Sequence, residues 1–420
     1  MKFTPAPAND FEAFYRTYYD RCRQRIDHIR IVAAKWTFED LIPGLSDFDT
    51  RFIVADGMTA DDWHAMSLAV GEVHSELARE RKPWARNLEH LPGMNLTVSE
   101  MDDPLMYYPE FAQWTLYDGD SQAIESVARA LEQHQWSPRD ELYHLKKIAT
   151  YFGSYIRGID PPINLGPWES KYPLHSRYMH YFTPPVQSMV SLKLKRSVRG
   201  KFEALRLARE LFPNPATIDR VFDAVDRHYE IEADYHDPRL AECERELEWY
   251  LNSAWASLED CVTMIEVQPD ETRHTLSEKV SAIPIDPVET FASGVRFARL
   301  MEGRLRFYAQ DILWFDSIWL IHNELNRIVG NFHDKPLQAY GKARFGEDLS
   351  PNEVLDRVDG SLLEHDDVVG MRRFATLASQ PIEEGNEKPR VLRVADAYRP
   401  VLTVVQKLGE DLVQLVRDRA

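Results

Sequence analysis

Two aspartates one residue apart, Asp47 and Asp49, stand directly before the apolar run Phe52-Ile53-Val54 in the stretch GLSDFDTRFIV. Residues i and i+2 of a strand point to one face, so the pair presents two carboxylates side by side. Two like charges that close are unfavourable unless a cation sits between them. Magnesium suits such a pair, because it takes one or two carboxylates together with phosphate oxygens and water in an octahedron. A third carboxylate from a neighbouring strand would complete a two-metal site, one ion activating the attacking oxygen and the other steadying the leaving phosphate. Glu100, at the end of NLTVSEM (Asn95 to Met101), is the acid to supply it, and Ser46 offers a hydroxyl to a phosphate. Taken alone, Asp-x-Asp also describes a polar turn ahead of a half-buried strand, with Ser46 as a local cap. The elements around it decide between the two.

From Asp10 to about Ile31, apolar and aromatic residues recur at Phe11, Phe14, Tyr15, Tyr18, Cys22 and Ile26, the spacing of a helix. Ile29 to Trp36 and Phe48 to Ala55 are short apolar runs on either side of the turn signal Pro43-Gly44, and read as neighbouring strands. Thr59 with Asp61 and Asp62 caps a helix carrying Trp63, Met66, Val70, Val73 and Leu77. After Pro92-Gly93, NLTVSEM alternates apolar and polar residues and reads as a third strand ending in Glu100. Beyond about Pro104 the long segments are helical in period. The expected fold is therefore α+β, a small mixed-sheet unit over residues 1–115 followed by a large α-helical region, residues 116–266 and 287–420. The polar, proline-containing stretch Val267 to Asp286 reads as the linker between those two helical parts, and Gln380 to Pro389 as a loop.

The order helix, strand, strand headed by SDFD, helix, strand resembles the catalytic core of the polymerase β-like nucleotidyltransferase superfamily. The text that carries the resemblance is KWTFEDLIPGLSDFDTRFIV, with NLTVSE as the later strand. It covers about the first 110 residues. Such proteins use magnesium to transfer a nucleoside monophosphate from a nucleoside triphosphate to an acceptor. By position, the resemblance implies that Asp47 and Asp49 are metal ligands and Glu100 a third ligand or the base that deprotonates the acceptor. Where the family carries a Gly-Ser phosphate-binding turn, this chain has Lys35 and Trp36, followed by Thr37. Lys35 would then contribute charge, and Thr37 a hydroxyl. A helical region attached after such a core is similar to the plan of small-molecule nucleotidyltransferases of the aminoglycoside-modifying kind, a likeness of architecture only.

Ser191 to Glu210 carries Lys193, Lys195, Arg196, Arg199 and Lys201 on an expected helix, where Lys195 and Arg199 would share a face and clamp a triphosphate opposite the aspartates. His228, Glu232 and His236 fall four apart, a ligand spacing that polar surface residues satisfy as well; RYMHYF and ILWFDSIWLI read as core. A net charge of −18 argues against general nucleic-acid affinity, which needs a basic surface. No apolar run is long enough to span a membrane, and the first residues lack the apolar stretch of a secretory signal, so a cytoplasmic protein is expected. The three cysteines, Cys22, Cys243 and Cys261, form no CxxC pair and read as packing residues. The expected function is magnesium-dependent nucleotidyl transfer from an NTP to a small-molecule acceptor. The alternatives are a catalytically silent nucleotide-binding relative and a helical partner-binding protein.

Overall fold

The amphipathic stripe near the N-terminus forms helix α1 (Phe11–Arg23), which buries Phe11, Phe14, Tyr15, Tyr18, Tyr19 and Cys22. A computed structural model describes residues 10–41, 46–85, 87–153, 182–230, 244–284, 286–312 and 317–419. Four strands follow α1: β1 (Ile29–Ala34), β2 (Thr50–Val54), β3 (Leu96–Thr97) and β4 (Thr115–Gly119), in the order β3-β2-β1-β4. β1 is antiparallel to both β2 and β4, and β2 is parallel to β3. Alternation divides the sheet's side chains cleanly. Val32, Ala34, Phe52 and Val54 meet α1 and helix α2 (Ala60–Glu80), whereas Ile31, Ala33 and Ile53 pack with Phe111, Trp114 and helix α4 (Ser121–Gln133).

The sheet departs from the sequence reading in two places. The stretch NLTVSEM is not a full strand, because the Thr97 hydroxyl accepts from the Glu100 amide at 3.3 Å and the Glu100 carboxylate accepts from the Thr97 amide at 2.8 Å. This reciprocal cap ends β3 and starts the short helix α3 (Val98–Asp102). The fourth strand lies just beyond the segment read as α/β, and it closes the edge beside β1.

Helices α5 (Pro138–Tyr151), α6 (Thr183–Leu194), α7 (Lys201–Leu211), α8 (Pro215–Glu230), α9 (Glu244–Ala256) and α10 (Arg273–Ser281) build a second core of their own. The stretch read as a linker thus carries α10, whose Leu276 and Val280 are buried in that core. The helix expected over Ser191 to Glu210 is parts of two, broken where Lys195 adopts a left-handed φ of 51°. Helices α11 (Pro287–Ala298), α12 (Met301–Tyr308), α13 (Ile318–Val329), α14 (Lys335–Phe345), α15 (Pro351–Val358), α16 (His365–Ala378), α17 (Glu387–Asp396) and α18 (Arg399–Arg419) return to the N-terminal unit. Their Phe291, Leu305, Tyr340, Val354, Phe374 and Val405 join the cluster formed by α1 and α2. At the contact between α2 and α12 the backbones touch. The Gly303 amide donates to the Ser67 hydroxyl at 2.8 Å, and a Cβ on Gly303 would fall 2.0 Å from the Ser67 carbonyl oxygen. Among the described residues no helix is long and apolar enough to cross a membrane.

Candidate functional site

Pairing fixes which strand ends meet. Ala34 lies opposite both Thr50 and Thr115, so the end of β1 and the starts of β2 and β4 share one edge of the sheet. The Lys35 amide donates to the Asp49 carbonyl at 3.2 Å and extends that pairing one step. Lys35, Asp49 and Arg51 therefore project from this end, together with Glu110 from the 3-10 turn Pro109–Gln113 that leads into β4. The Glu110 carboxylate accepts from the Lys35 ammonium at 2.6 Å, from Arg51 Nη2 at 3.0 Å and from the Trp114 indole at 3.2 Å. Arg51 lies over the Trp114 ring, 5.7 Å from its centroid, and Nη1 is 3.5 Å from Asp49 Oδ1.

These contacts set the charges. Burial alone would raise the Glu110 carboxyl, but Lys35 and Arg51 outweigh it and hold the group well below the usual carboxylate range. Burial likewise opposes ionisation of Lys35, and desolvation at the crowded sheet end opposes that of the half-exposed Asp49. Glu110 and Asp49 nevertheless raise Lys35, and Arg51 and Lys35 lower Asp49. Lys147 on α5 is different. It lies within hydrogen-bonding reach of Lys35, and burial together with that neighbouring cation pushes its ammonium well below the ordinary lysine value. Among the described residues no carboxylate comes within ion-pair distance of Lys147.

His90 continues the cleft on the aspartate side. Its Nε2 is 4.0 Å from Asp47 Oδ2 and 3.0 Å from Glu89 Oε1, and its Nδ1 is hydrogen-bonded to the Tyr308 hydroxyl of α12. Beyond it, Glu324 of α13 sits between Arg304 at 3.6 Å and Arg327 at 3.5 Å. The sheet end is thus walled by α5 on one side and by α12 and α13 on the other. The side chains of Asp47 and Asp49 keep 28% and 50% exposure, against 8% for Glu110, so the aspartates are the acids that solvent and ligands can reach.

The other expected site residues are placed elsewhere or committed to local contacts. Glu100 lies beyond Thr97, which pairs beside Val54, and so sits at the far end of β2. That is roughly 16 Å from Asp49 along a strand rising about 3.3 Å per residue. Its two oxygens accept from Arg299, the residue that follows α11, at 2.5 and 2.8 Å, and it lines a cavity of about 580 Å³ with Trp63, Phe291 and Gln406. The Thr37 hydroxyl donates to Asp40 at 3.1 Å and caps the turn Phe38–Asp40, and the Ser46 carbonyl accepts from Asn87 at 2.8 Å. Lys195 and Arg199 do not share a helix face, since α6 ends at Leu194. They line a separate cavity that includes neither aspartate. Asp62 caps α2 through Thr59. Glu232 and His236 lie outside the described residues, as do most of RYMHYF and the middle of ILWFDSIWLI, and of the His228 side chain nothing is described.

A two-metal site needs three convergent acids. Among the described residues no three His, Cys, Asp or Glu side chains form a metal-ligand group. The buried acid that shares the sheet end with Asp49 and Arg51 is Glu110, and Lys35 and Arg51 already supply its countercharge. This donor set does not fit a pair of magnesium ions. Glu110 and Lys147 carry no local sequence signal, because only the β1–β4 pairing and the approach of α5 bring them to the sheet end. Comparison of the chain with protein-family models, curated proteins and solved structures finds no match.

Proposed function

We propose that the sheet end binds the phosphate groups of a nucleotide or a similar phosphorylated small molecule, in a nucleotidyltransferase-like unit whose acids are countered by protein cations. One observation carries the reading. Lys147 reaches over from α5 to Lys35 with no carboxylate at ion-pair distance among the described residues, leaving two neighbouring lysine nitrogens and Arg51 around a single buried acid. A phosphate supplies the missing countercharge, and lysine meets it as a point charge. In this reading Lys35 and Lys147 hold phosphate, and Asp49 orients Arg51.

The test is equilibrium binding of ATP with and without magnesium. Binding that needs no magnesium, that survives Asp47→Asn with Asp49→Asn, and that weakens about tenfold in Lys147→Ala is the expected result. A second reading, magnesium-dependent nucleotidyl transfer to a small-molecule acceptor, is favoured by the exposure that the Asp47 and Asp49 carboxylates keep. Pyrophosphate release that requires magnesium and is lost in the two asparagine variants would establish it instead. Absence of any NTP binding removes both.

A further inference from the structure

The cavity that receives Lys195 and Arg199 measures about 460 Å³ and lies between α4, the start of α5 and the break that separates α6 from α7. Three cations enter it: Lys195, Arg196 and Arg199. Arg196 and Arg199 are exposed, and among the described residues neither has a carboxylate at ion-pair distance. Lys195 donates to the Cys261 carbonyl and lies 5.6 Å from the centroid of the Trp136 ring. Its nearest acid, Glu141 at 3.8 Å, is already taken up by the amides of Thr263 and Met264 at 2.6 and 2.8 Å.

Two acids line the same cavity. Asp140 accepts from Tyr107 at 3.0 Å, from the Ser137 amide and hydroxyl at 2.9 and 2.6 Å, and contacts His134 Nε2 at 2.9 Å, so its charge is spent locally. Glu203 is exposed one turn into α7 and opposes the three cations singly. Donors remain unused. The indole nitrogen of Trp136 is buried with no hydrogen-bond partner, on a residue that lines the cavity. Lys195 holds a left-handed backbone, which costs a residue with a Cβ and is kept where surrounding structure imposes it. In a chain of net charge −18, two exposed arginines with no acid at ion-pair distance among the described residues, gathered beside Lys195, form a local exception.

We propose that this cavity is a second anion site, taking a small polyanion of the phosphate-ester or pyrophosphate class on Arg196, Arg199 and Lys195. Arginine's planar fork suits paired phosphate oxygens, and the volume lies within the range of small-ligand sites. A nucleic acid is disfavoured, because its continuous phosphate track would run onto an acidic surface. The proposal shares no residue with the sheet-end site.

Inorganic pyrophosphate is the probe, titrated calorimetrically into the wild-type chain, Arg196→Ala with Arg199→Ala, and Lys147→Ala, at low and raised salt. The double arginine variant should lose a site that Lys147→Ala retains, weakening it by at least about tenfold, with partial recovery in Arg196→Lys with Arg199→Lys. Both arginines are exposed, so folding is preserved. If the arginine variant abolishes all binding and Lys147→Ala binds as wild type, this cavity stands and the sheet-end reading falls. Pyrophosphate binding indifferent to the arginine substitutions, or no binding in the wild-type chain, overturns the proposal.

Discussion

The two ends of β2 carry the same three pieces arranged to opposite effect. At one end Glu110 meets Arg51, and Arg51 lies over Trp114; at the other Glu100 meets Arg299, and Arg299 lies over Trp63 at 4.4 Å. Arg299 grips both oxygens of Glu100 and also donates to the Asn95 carbonyl at 2.8 Å, so acid and base are matched one to one. The pair pins α11 to the end of β3. Glu110 is instead divided between Lys35 and Arg51, which leaves Arg51 partly turned to Asp49 and leaves Lys147 with no acid at ion-pair distance among the described residues. A matched pair is a fastening, whereas an unmatched one is an invitation to a charged ligand.

Breaking the matched pair should have the largest effect. Arg299→Leu strands Glu100 where it is mostly buried, and urea unfolding should show a loss of about 3–5 kcal/mol, most of it recovered when Glu100→Leu is added. If Arg299→Leu is silent, the fastening is not one.

Next comes acidity. Burial holds both His74 and His144, the latter one turn before Lys147 on α5, down from the ordinary 6.5 to about 3. Below pH 6.5 the unfolded chain takes up these protons and the folded chain does not, so stability falls as pH drops from 6.5 toward 3. The slope should be about 1.4 kcal/mol per pH unit for each histidine, and His144→Phe should remove one of the two contributions. Glu110 has the same sign but a lower window, since its depressed carboxyl contributes stability above the usual carboxylate range that is lost only as pH falls through the folded value. Urea unfolding across the range separates the histidines from Glu110. A stability that stays flat until the carboxylate range would show that the histidines do not carry the loss.

Glu110→Gln sharpens the comparison most directly. Stability should fall by about 1–3 kcal/mol, because Lys35 and Arg51 lose the buried carboxylate charge and one of its two acceptor oxygens. ATP binding should tighten at the same time, because both cations become available to phosphate. Opposite signs in unfolding and binding mark a site with surplus charge, and equal signs would make Glu110 an ordinary fastening like Glu100.

Much of this was legible in the sequence, and the failures have identifiable causes. The stripes of α1 and α2 and the runs of β1 and β2 announced themselves, because burial on one face imposes a period. The position of Glu100 has a local cause. TVSE is a threonine followed three residues on by a glutamate, the pattern of a reciprocal helix cap, and it prevails over the strand-like alternation of Leu96 and Val98. The edge strand β4 is only half-buried, so its alternation is weak. The charge run over Lys193 to Lys201 hides the break at Lys195, which separates Lys195 and Arg199 from a common helix face. The pairing of Glu100 with Arg299 spans 199 residues, and that of Glu110 with Lys35 spans 75. No local pattern encodes contacts at such separations.

The touching backbones of Gly303 and Ser67 have a consequence in time. Residues 11–91 bury their apolar faces against residues 288–412, and the middle helices, with their own core, are made between the two. At roughly 5–20 residues per second, α1 and α2 leave the ribosome some 10–40 s before the helices that cover them. A ribosome-bound chain halted short of Val288 should be cut by protease within α2, and one extended past Leu412 should resist. The middle helices, finished first, are the part of the protein that can wait folded while its two ends find each other.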